Sequence, residues 1–489
     1  MCGIVGKVHA DIQNPIDEST VRNMCNAIVH RGPDEDGFFF EGGAALGMRR
    51  LQVIDLAGGH QPMENEDGSL RVVFNGEIYN YQQLSQQLRA RGHQLRTASD
   101  TEVIVHLYEE YGVDCFALLR GMFAIALWDR RSNELVLARD RLGKKPLFYS
   151  QTSSGLSFSS ELHSLLCDSE VQHEIDPTAI DEYLSYLFVP HPRTIYRDVK
   201  KMPPATWAVF SDGQLRMERY WQIVYREELE TRSSKERVEG LDCLLRKAVS
   251  LRLLADVPVG AFLSGGLDSS LVVALMRSVG HERVRTFSIG FSDSSFDELA
   301  YARQVAQALD TDHAEYVVDY QVEEVIPCLL KHFGEPFADS SAIPTYHLSR
   351  VTSESVTVAL SGDGGDEVFG GYRRYQARIM ADRYNRWPAW AGRSLFESLW
   401  ERVPEPDGYY GSSWRKKGRR FVEFARAVRD EPHTSWAFFL PKMKKTRCIR
   451  KILPIVYIRR FQYLAIAHTG KMHLMQVIRL CCKPICTPI

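Results

Sequence analysis

The chain lacks the basic start and long apolar core of a secretory signal, and none of its apolar runs approaches a membrane span in length. Those absences make the cytoplasm the expected location and exclude a membrane partner from the expectation. An excess of either charge is missing too: 60 Lys and Arg against 62 Asp and Glu leave a net charge of -2, which gives nucleic acid no electrostatic hold. The 10 cysteines form no CxxC pair and keep no regular spacing, so a disulfide framework and a structural zinc site are both disfavoured. No internal repeat is evident.

What is present is an ordinary globular composition, 44% hydrophobic and 25% charged, over 489 residues, more than one core usually serves. Two textures divide it. Up to about residue 210 short strands are punctuated by turn signals, as in residues 70–74 before Asn75-Gly76, 122–128, and 135–139 before Asp140. Apolar spacing predicts helices over 82–91 and 100–111, and strands outnumbering helices point to a layered α+β domain. Residues 227–235 are polar and aperiodic, as a linker is. Beyond them helical stretches 239–253, 269–279 and 297–309 alternate with apolar strands 257–263, 286–291 and 356–360, the pattern of a parallel sheet covered on both faces.

Cys2 directly follows the initiator methionine, and a side chain this small permits removal of that methionine. A terminal cysteine carries both a thiol nucleophile and a base, since an α-amine with a pKa of about 7.7–8.0 accepts a proton near neutrality. Alone, a cysteine at position two reads more readily as an incidental small residue. Here it is followed by His30-Arg31-Gly32-Pro33-Asp34, Arg49-Arg50-Leu51, Asn75-Gly76-Glu77-Ile78-Tyr79-Asn80 and Ser99-Asp100, an order that resembles the class II glutamine amidotransferases over about the first 160 residues.

That resemblance implies an N-terminal nucleophile hydrolase fold, layered αββα, in which Cys2 attacks the side-chain amide of glutamine. It implies that the Asn75 side chain and the Gly76 N–H receive the oxyanion. Arg50 then binds the α-carboxylate and Asp100 the α-ammonium group, with Glu77 beside them in the glutamine site. Arg50 and Asp100 read otherwise as surface charges, and Asn75-Gly76 as a hairpin turn. His30 is assigned to a loop over the site rather than to the base role. Asp140-Arg141-Leu142-Gly143 with Pro146-Leu147-Phe148-Tyr149 is assigned to structure or a domain interface.

In the second half, Ser264-Gly265-Gly266-Leu267-Asp268-Ser269-Ser270 follows an apolar strand and opens a helix. Backbone N–H groups collect at such a start, and glycine lets a phosphate approach them. A generic flexible turn is the alternative, and the strand before the loop with the helix after it disfavours it. The loop has no Lys-Ser or Lys-Thr ending of the Walker type, which argues against cleavage between the β and γ phosphates. It resembles the pyrophosphate loop of the N-type ATP pyrophosphatases, and residues 361–372, Ser361-Gly362-Asp363-Gly364-Gly365-Asp366 onward, resemble the second signature of asparagine synthetases. The resemblance implies that Ser264, Gly265, Gly266, Asp268, Ser269, Ser270, Ser361 and Gly362 contact ATP. Phe262, Leu263 and Ile289 line the adenosine pocket or serve the core. Asp268 and Asp366 ligate Mg2+, Asp363 acts at the acyl-adenylate, and Arg350 meets the acidic substrate or a phosphate.

On these motifs the chain resembles the asparagine synthetase family. Residues 2–215 are expected to form the glutaminase domain, 216–236 a linker, 237–440 an incomplete ATP-pyrophosphatase domain with an adenine nucleotide α-hydrolase-like α/β fold, and 441–489 an atypical basic tail. Glutamine and a carboxylate, most simply aspartate, are the implied substrates, ATP and Mg2+ the implied cofactors, and a homodimer the implied assembly. A carboxylate on a glycan, peptide or other metabolite stays open. Residues 432–489 contain no Asp or Glu, and the family's lysine-bearing helix is not found in them. The stretch reads as a truncation followed by out-of-frame sequence, or else as a basic interaction tail or membrane-surface segment. The resulting expectation is an intact glutaminase with weak or no synthetase turnover, at the extreme a pseudo-synthetase that only binds partners or nucleotides.

Overall fold

The short strands of the first 220 residues assemble into two six-stranded antiparallel sheets in the structure, a computed structural model describing residues 1–224, 232–280, 283–291, 298–318, 322–388, 393–401 and 414–430. Edge to edge, one sheet runs Val199–Lys201, Phe148–Gln151, Gly155–Ser159, Gly3–His9, Ala44–Arg50 and Glu35–Glu41. The other runs Gln214–Arg219, Thr206–Ser211, Glu134–Arg139, Gly121–Asp129, Leu70–Ile78 and Met63–Glu64. The sheets pack face to face, with Ile4, Leu46 and Phe158 of the first meeting Val73, Ala124 and Leu137 of the second in one buried cluster. The two-residue period sends Phe74, Ile78 and Ile125 to the opposite face, where Leu84, Leu88, Val103 and Leu107 of the helices Tyr81–Ala90 and Glu102–Tyr111 cover them. The helices Glu18–Ala27 and Leu162–Leu165 lie against strands of the first sheet.

Three local expectations change. Asn75-Gly76 is not a hairpin turn but the interior of the Leu70–Ile78 strand, opposite Ala124 and Phe123. Glycine is needed there because a Cβ would sit 2.1 Å from the Met122 carbonyl oxygen. The Gln214–Arg219 strand also runs through the expected boundary at residue 215, because it completes the sheet by pairing with Thr206–Ser211. The helix Ser234–Arg252 opens on a reciprocal Ser233–Glu236 capping box and so takes in residues 234–236 of the expected linker. Residues 225–231 lie outside the described residues.

Farther on, Asp312–Val318, Arg285–Phe291, Val259–Phe262 and Val358–Leu360 form a parallel sheet in that order. The chain leaves Val259–Phe262 toward one side and returns on the other, a reversal that opens a crevice at the carboxyl ends of the central strands. Val273 and Met276 of the helix Leu267–Ser278, with Ala302 and Ala306 of Leu299–Ala308, share a core with Ala261 and Leu263.

All of these elements belong to one unit, Met1–Ala179 with Val189–Gly362. A second unit comprises Ile180–Phe188 and the described part of Asp363–Ile489. Within it Ala381 of Arg373–Asn385 packs with Ala425 and Val428 of Trp414–Asp430. The expected basic tail, 441–489, lies outside the described residues. Among those residues no helix is long and apolar enough to cross a membrane.

Candidate active sites

Cys2 stands at the mouth of the Gly3–His9 strand, between Arg31 and Leu51. Arg31 Nε donates to the Cys2 carbonyl at 2.9 Å and Nη1 to Glu161 at 2.8 Å, while the Leu51 N–H lies 3.4 Å from Cys2 Sγ. Burial pushes the thiol above its ordinary range, a shift opposed by the Leu51 N–H and the neighbouring α-ammonium. A thiol held in its neutral form needs a base to react.

Cys2 packs against the inter-sheet cluster that contains Val73. Residues 75 and 77 are in step with Val73 along the strand and face the same layer. Asn75 is 0% exposed, and neither its Oδ1 nor its Nδ2 has a hydrogen-bond partner. Leaving a buried polar group unpaired costs about 1–3 kcal/mol, so an amide kept in that state points to a ligand that uses it. The backbone next to it is turned the same way to purpose. Phe74 and Ile78 donate their N–H groups to Gln61 Oε1 at 2.7 Å and Asp100 Oδ2 at 2.8 Å rather than to a strand. The Gly76 N–H, between them in the two-residue period, points to that side as well.

Glu77 and Asp100 bring two carboxyls to this place. Burial drives Glu77 well above the usual range, with the Asp100 charge adding to the effect, and burial lifts Asp100 to about 7. Lys145, 3% exposed, has its amine pushed down to about 8 by burial, against the pull of Glu77. Cys2, Glu77, Asp100 and Lys145 thus form one electrostatic group, with Asn75 and Gly76 next to Glu77 on the same strand. Lys145 is the member that sequence reading passed over; its only signal was a place between the matched segments 140–143 and 146–149.

Neither Arg50 nor Asp100 is a surface charge, since both are buried. Arg50 donates to Glu35 Oε2 at 3.1 Å, to the Ile54 carbonyl at 3.2 Å and to the Asp55 carbonyl at 2.7 Å, which fixes the guanidinium in place. His30, in the single turn Val29–Arg31, points its Nε2 at Glu161 from 3.0 Å, and it is Arg31 that reaches Cys2. Asp140 accepts the N–H groups of Phe123, Leu142 and Lys145 at 3.2, 3.1 and 3.0 Å, which is a structural duty.

The second site forms at the crevice of the parallel sheet. Gly265 has φ +78°, and a Cβ on it would lie 2.5 Å from Ala302 N, so the turn admits glycine alone. Ser264 Oγ accepts the Gly266 N–H at 3.2 Å and lies 3.0 Å from Ser269 Oγ, which fixes the loop at the start of Leu267–Ser278. Asp268 is half-buried in the first turn of that helix, and Ser270 Oγ is buried without a partner. The loop after Val358–Leu360 closes on the first: a Cβ on Gly362 would lie 2.8 Å from Ser269 N. The structure therefore brings residues 264–270 together with Ser361 and Gly362.

The remaining candidates fall in different places. The Leu263 side chain belongs to the core with Val273 and Ala302, the second of the two places expected for it. Phe262 and Ile289 are half-buried on neighbouring strands, and Arg350 is exposed on the helix Ala342–Ser353. Asp363 and Asp366 lie in the second unit. Asp366 opens the helix Gly365–Phe369 with its Oδ1 where it would meet a Cβ on Gly371 at 1.9 Å.

Two family models match the chain, one described as glutamine amidotransferase domain over residues 1–221 and one as asparagine synthase over residues 240–480. The second match runs past residue 440 into the stretch expected to be a tail. The chain is similar to asparagine synthetase (glutamine-hydrolyzing) 1 of Bacillus subtilis, 37% identical over 424 residues that make up 86% of this chain and 66% of the relative. The chain thus spans just under two thirds of that protein's length. It is equally similar, at 37% over 413 residues and 79% of each chain, to the putative asparagine synthetase (glutamine-hydrolyzing) 2 of Methanocaldococcus jannaschii. Among solved structures, a glutamine phosphoribosylpyrophosphate amidotransferase from B. subtilis aligns over 69% of this chain and 94% of its own, at TM-score 0.37 and 15% identity.

Proposed function

Because the chain belongs to the glutamine-hydrolysing asparagine synthetase family, we propose that it moves the amide nitrogen of glutamine onto a carboxylate, most simply that of aspartate, with cleavage of ATP to AMP and pyrophosphate. In this reading the residues through the Gln214–Arg219 strand are a glutaminase of the N-terminal nucleophile hydrolase type, layered αββα. Those from the helix that starts at Ser234 onward are the ATP pyrophosphatase, of the adenine nucleotide α-hydrolase-like type. The observation that carries the reading is the Asn75 amide, buried and unpaired on the layer where Cys2 packs.

With Met1 removed, the Cys2 amine takes the thiol proton and Sγ attacks the glutamine amide carbon. Asn75 Nδ2 and the Gly76 N–H receive the oxyanion. Ammonia leaves with the proton, and water then releases glutamate from the thioester. Asp100 and Glu77 take the α-ammonium group, and Arg50 the α-carboxylate.

At the second site, residues 264–270 with Ser361 and Gly362 hold the phosphates of ATP, and Phe262 and Ile289 flank the adenosine. The tight glycine turn, the helix start and the unpaired Ser270 Oγ suit a phosphate, and the Asp268 carboxylate is the hard donor that Mg2+ prefers. Asp268, and by the family resemblance Asp366, would hold Mg2+, which would neutralise phosphate charge there. The acid's oxygen attacks the α-phosphorus, pyrophosphate leaves, and ammonia displaces AMP from the acyl-adenylate. Asp363 and Arg350 attend the acid. Cytoplasmic location and a homodimer complete the proposal.

The test is to incubate the purified chain with glutamine, ATP, Mg2+ and a panel of carboxylates while measuring glutamate, AMP and pyrophosphate separately. All three rising in step with one acid identifies the substrate. Glutamate alone returns the pseudo-synthetase, a reading that the names of the relatives do not favour. Response to a glycan- or peptide-borne acid in place of aspartate revises the substrate only.

A further inference from the structure

Across the second sheet from Cys2, on the face covered by the helix Glu102–Tyr111, a separate set of donors converges. Glu66, His93, His106 and Glu109 each contribute one atom to a group lying within 4.8 Å of one another. His106 Nδ1 is 3.1 Å from Glu109 Oε2 and 3.2 Å from Glu66 Oε2. His93 Nδ1 is 3.7 Å from Glu109 Oε2 and 3.6 Å from Glu66 Oε1. A tetrahedral ion with bonds of about 2.0–2.1 Å sets neighbouring donors about 3.3–3.4 Å apart; the two Nδ1 atoms stand 3.1 and 3.7 Å from the one Glu109 Oε2, on either side of that edge, while Glu66 presents Oε2 to His106 and Oε1 to His93.

The surroundings orient the same atoms inward. His93 Nε2 is 3.1 Å from Glu110 Oε1, and His106 Nε2 faces Glu102 Oε1 at 3.8 Å with no other partner in a buried position. A carboxylate behind each ring favours a proton on Nε2 and leaves the Nδ1 lone pair for a metal. Glu102 itself is fixed by the N–H groups of Arg96 and Thr97, both at 2.7 Å. Asn65 Nδ2 holds Glu109 Oε1 at 2.8 Å, and the Gln94 N–H holds Glu66 Oε1 at 3.0 Å. Two carboxylates also balance one dication.

We propose that Glu66, His93, His106 and Glu109 bind Zn2+ in a closed, four-ligand structural site that ties residues 64–69 and the 92–97 turn to the helix Glu102–Tyr111. The cysteine pattern argued against structural zinc; folding assembles the donors from histidine and glutamate instead. Imidazole with carboxylate suits Zn2+ better than Mg2+, which prefers oxygen alone and six-fold geometry. A filled tetrahedron leaves no position for substrate, so the ion stabilises rather than reacts.

The experiment uses the full chain, stripped with chelator, dialysed, and titrated with ZnCl2 by calorimetry while bound metal is counted by mass spectrometry. One equivalent is expected, together with a rise in melting temperature. His93→Ala and Glu66→Gln, both at partly exposed positions, should each weaken binding at least tenfold and abolish the melting shift, while glutamine hydrolysis in metal-free buffer stays at the parent rate. Zinc uptake that persists in the His93→Ala/Glu66→Gln double variant, or that disappears on cysteine alkylation instead, overturns the assignment. So does equal affinity for Mg2+.

Discussion

Cys2 is buried deeply enough to hold its thiol protonated, so the base must come from beside it. Burial also pushes the α-amine of Met1 down to about 6. An amine on Cys2 itself, in the same surroundings, would be largely unprotonated at neutral pH and able to accept the thiol proton. Mass spectrometry of the native chain should therefore find Met1 removed. Cys2→Ala should abolish glutamate release yet leave amide formation from added ammonia and ATP. Asn75→Ala should lower kcat for glutamine hydrolysis by about 10²–10³-fold with little change in KM, because the oxyanion exists only after attack. Asp100 predicts a pH dependence. Burial raises its carboxyl from 3.8 to about 7, and only the charged form attracts an α-ammonium group. Below about 7 the free enzyme holds it neutral, so kcat/KM for glutamine should fall as pH drops through that value and level off above it. Asp100→Asn should weaken glutamine binding and flatten the profile; a profile indifferent to that substitution removes Asp100 from the ammonium site.

At the scale of elements, the two loops proposed to hold ATP pack against each other, and that proposal depends on the packing. A Cβ on Gly362 would lie 2.8 Å from Ser269 N and 3.1 Å from Asp268, where backbone atoms have little freedom to retreat. Gly362→Ala should cut ATP-dependent pyrophosphate release at least tenfold, about 1.4 kcal/mol in the barrier. Glutamate release should stay at the parent rate, and a matching loss in both reactions would mean that the substitution unfolds the chain instead. This loop was legible in the sequence because its glycines answer to local geometry: Gly265 sits at φ +78° directly between an apolar strand and a helix. The strand Asp312–Val318 was not, since an edge strand carrying Asp312, His313 and Glu315 shows no apolar alternation. Nor was the strand identity of Asn75-Gly76, a dipeptide whose local preference for a turn is overridden by pairing with Ala124 and Phe123. Lys145 and the His93–His106 cluster depend on contacts between distant segments, and no local pattern announces them.

At the scale of the molecule, a half-buried ion pair is among the contacts that join the layered sheets to the parallel-sheet elements of the first unit. Lys201, on the strand Val199–Lys201, bonds Glu335, which follows the helix Val322–Phe333, and Glu335 Oε2 also accepts the Ile195 N–H at 3.3 Å. Burial raises the Glu335 carboxyl above its usual 4.5, with Lys201 opposing the shift. Lys201→Met removes that opposition and moves the folded-state value higher still. The sign of the consequence follows: above about 4.5 the unfolded chain releases this proton while the folded chain keeps it or buries an unpaired charge, so stability is lost as pH rises. The variant should melt close to the parent near about pH 5 and fall progressively behind toward about pH 8, by about 1–3 kcal/mol, between the costs of breaking an exposed and a fully buried pair. Adding Glu335→Gln should recover most of that loss, since a neutral amide leaves no charge to strand. A deficit that stays constant with pH, or that the second substitution fails to relieve, would mean that the Lys201 stem contributes by packing and that this pair is not among what joins the two sets of layers.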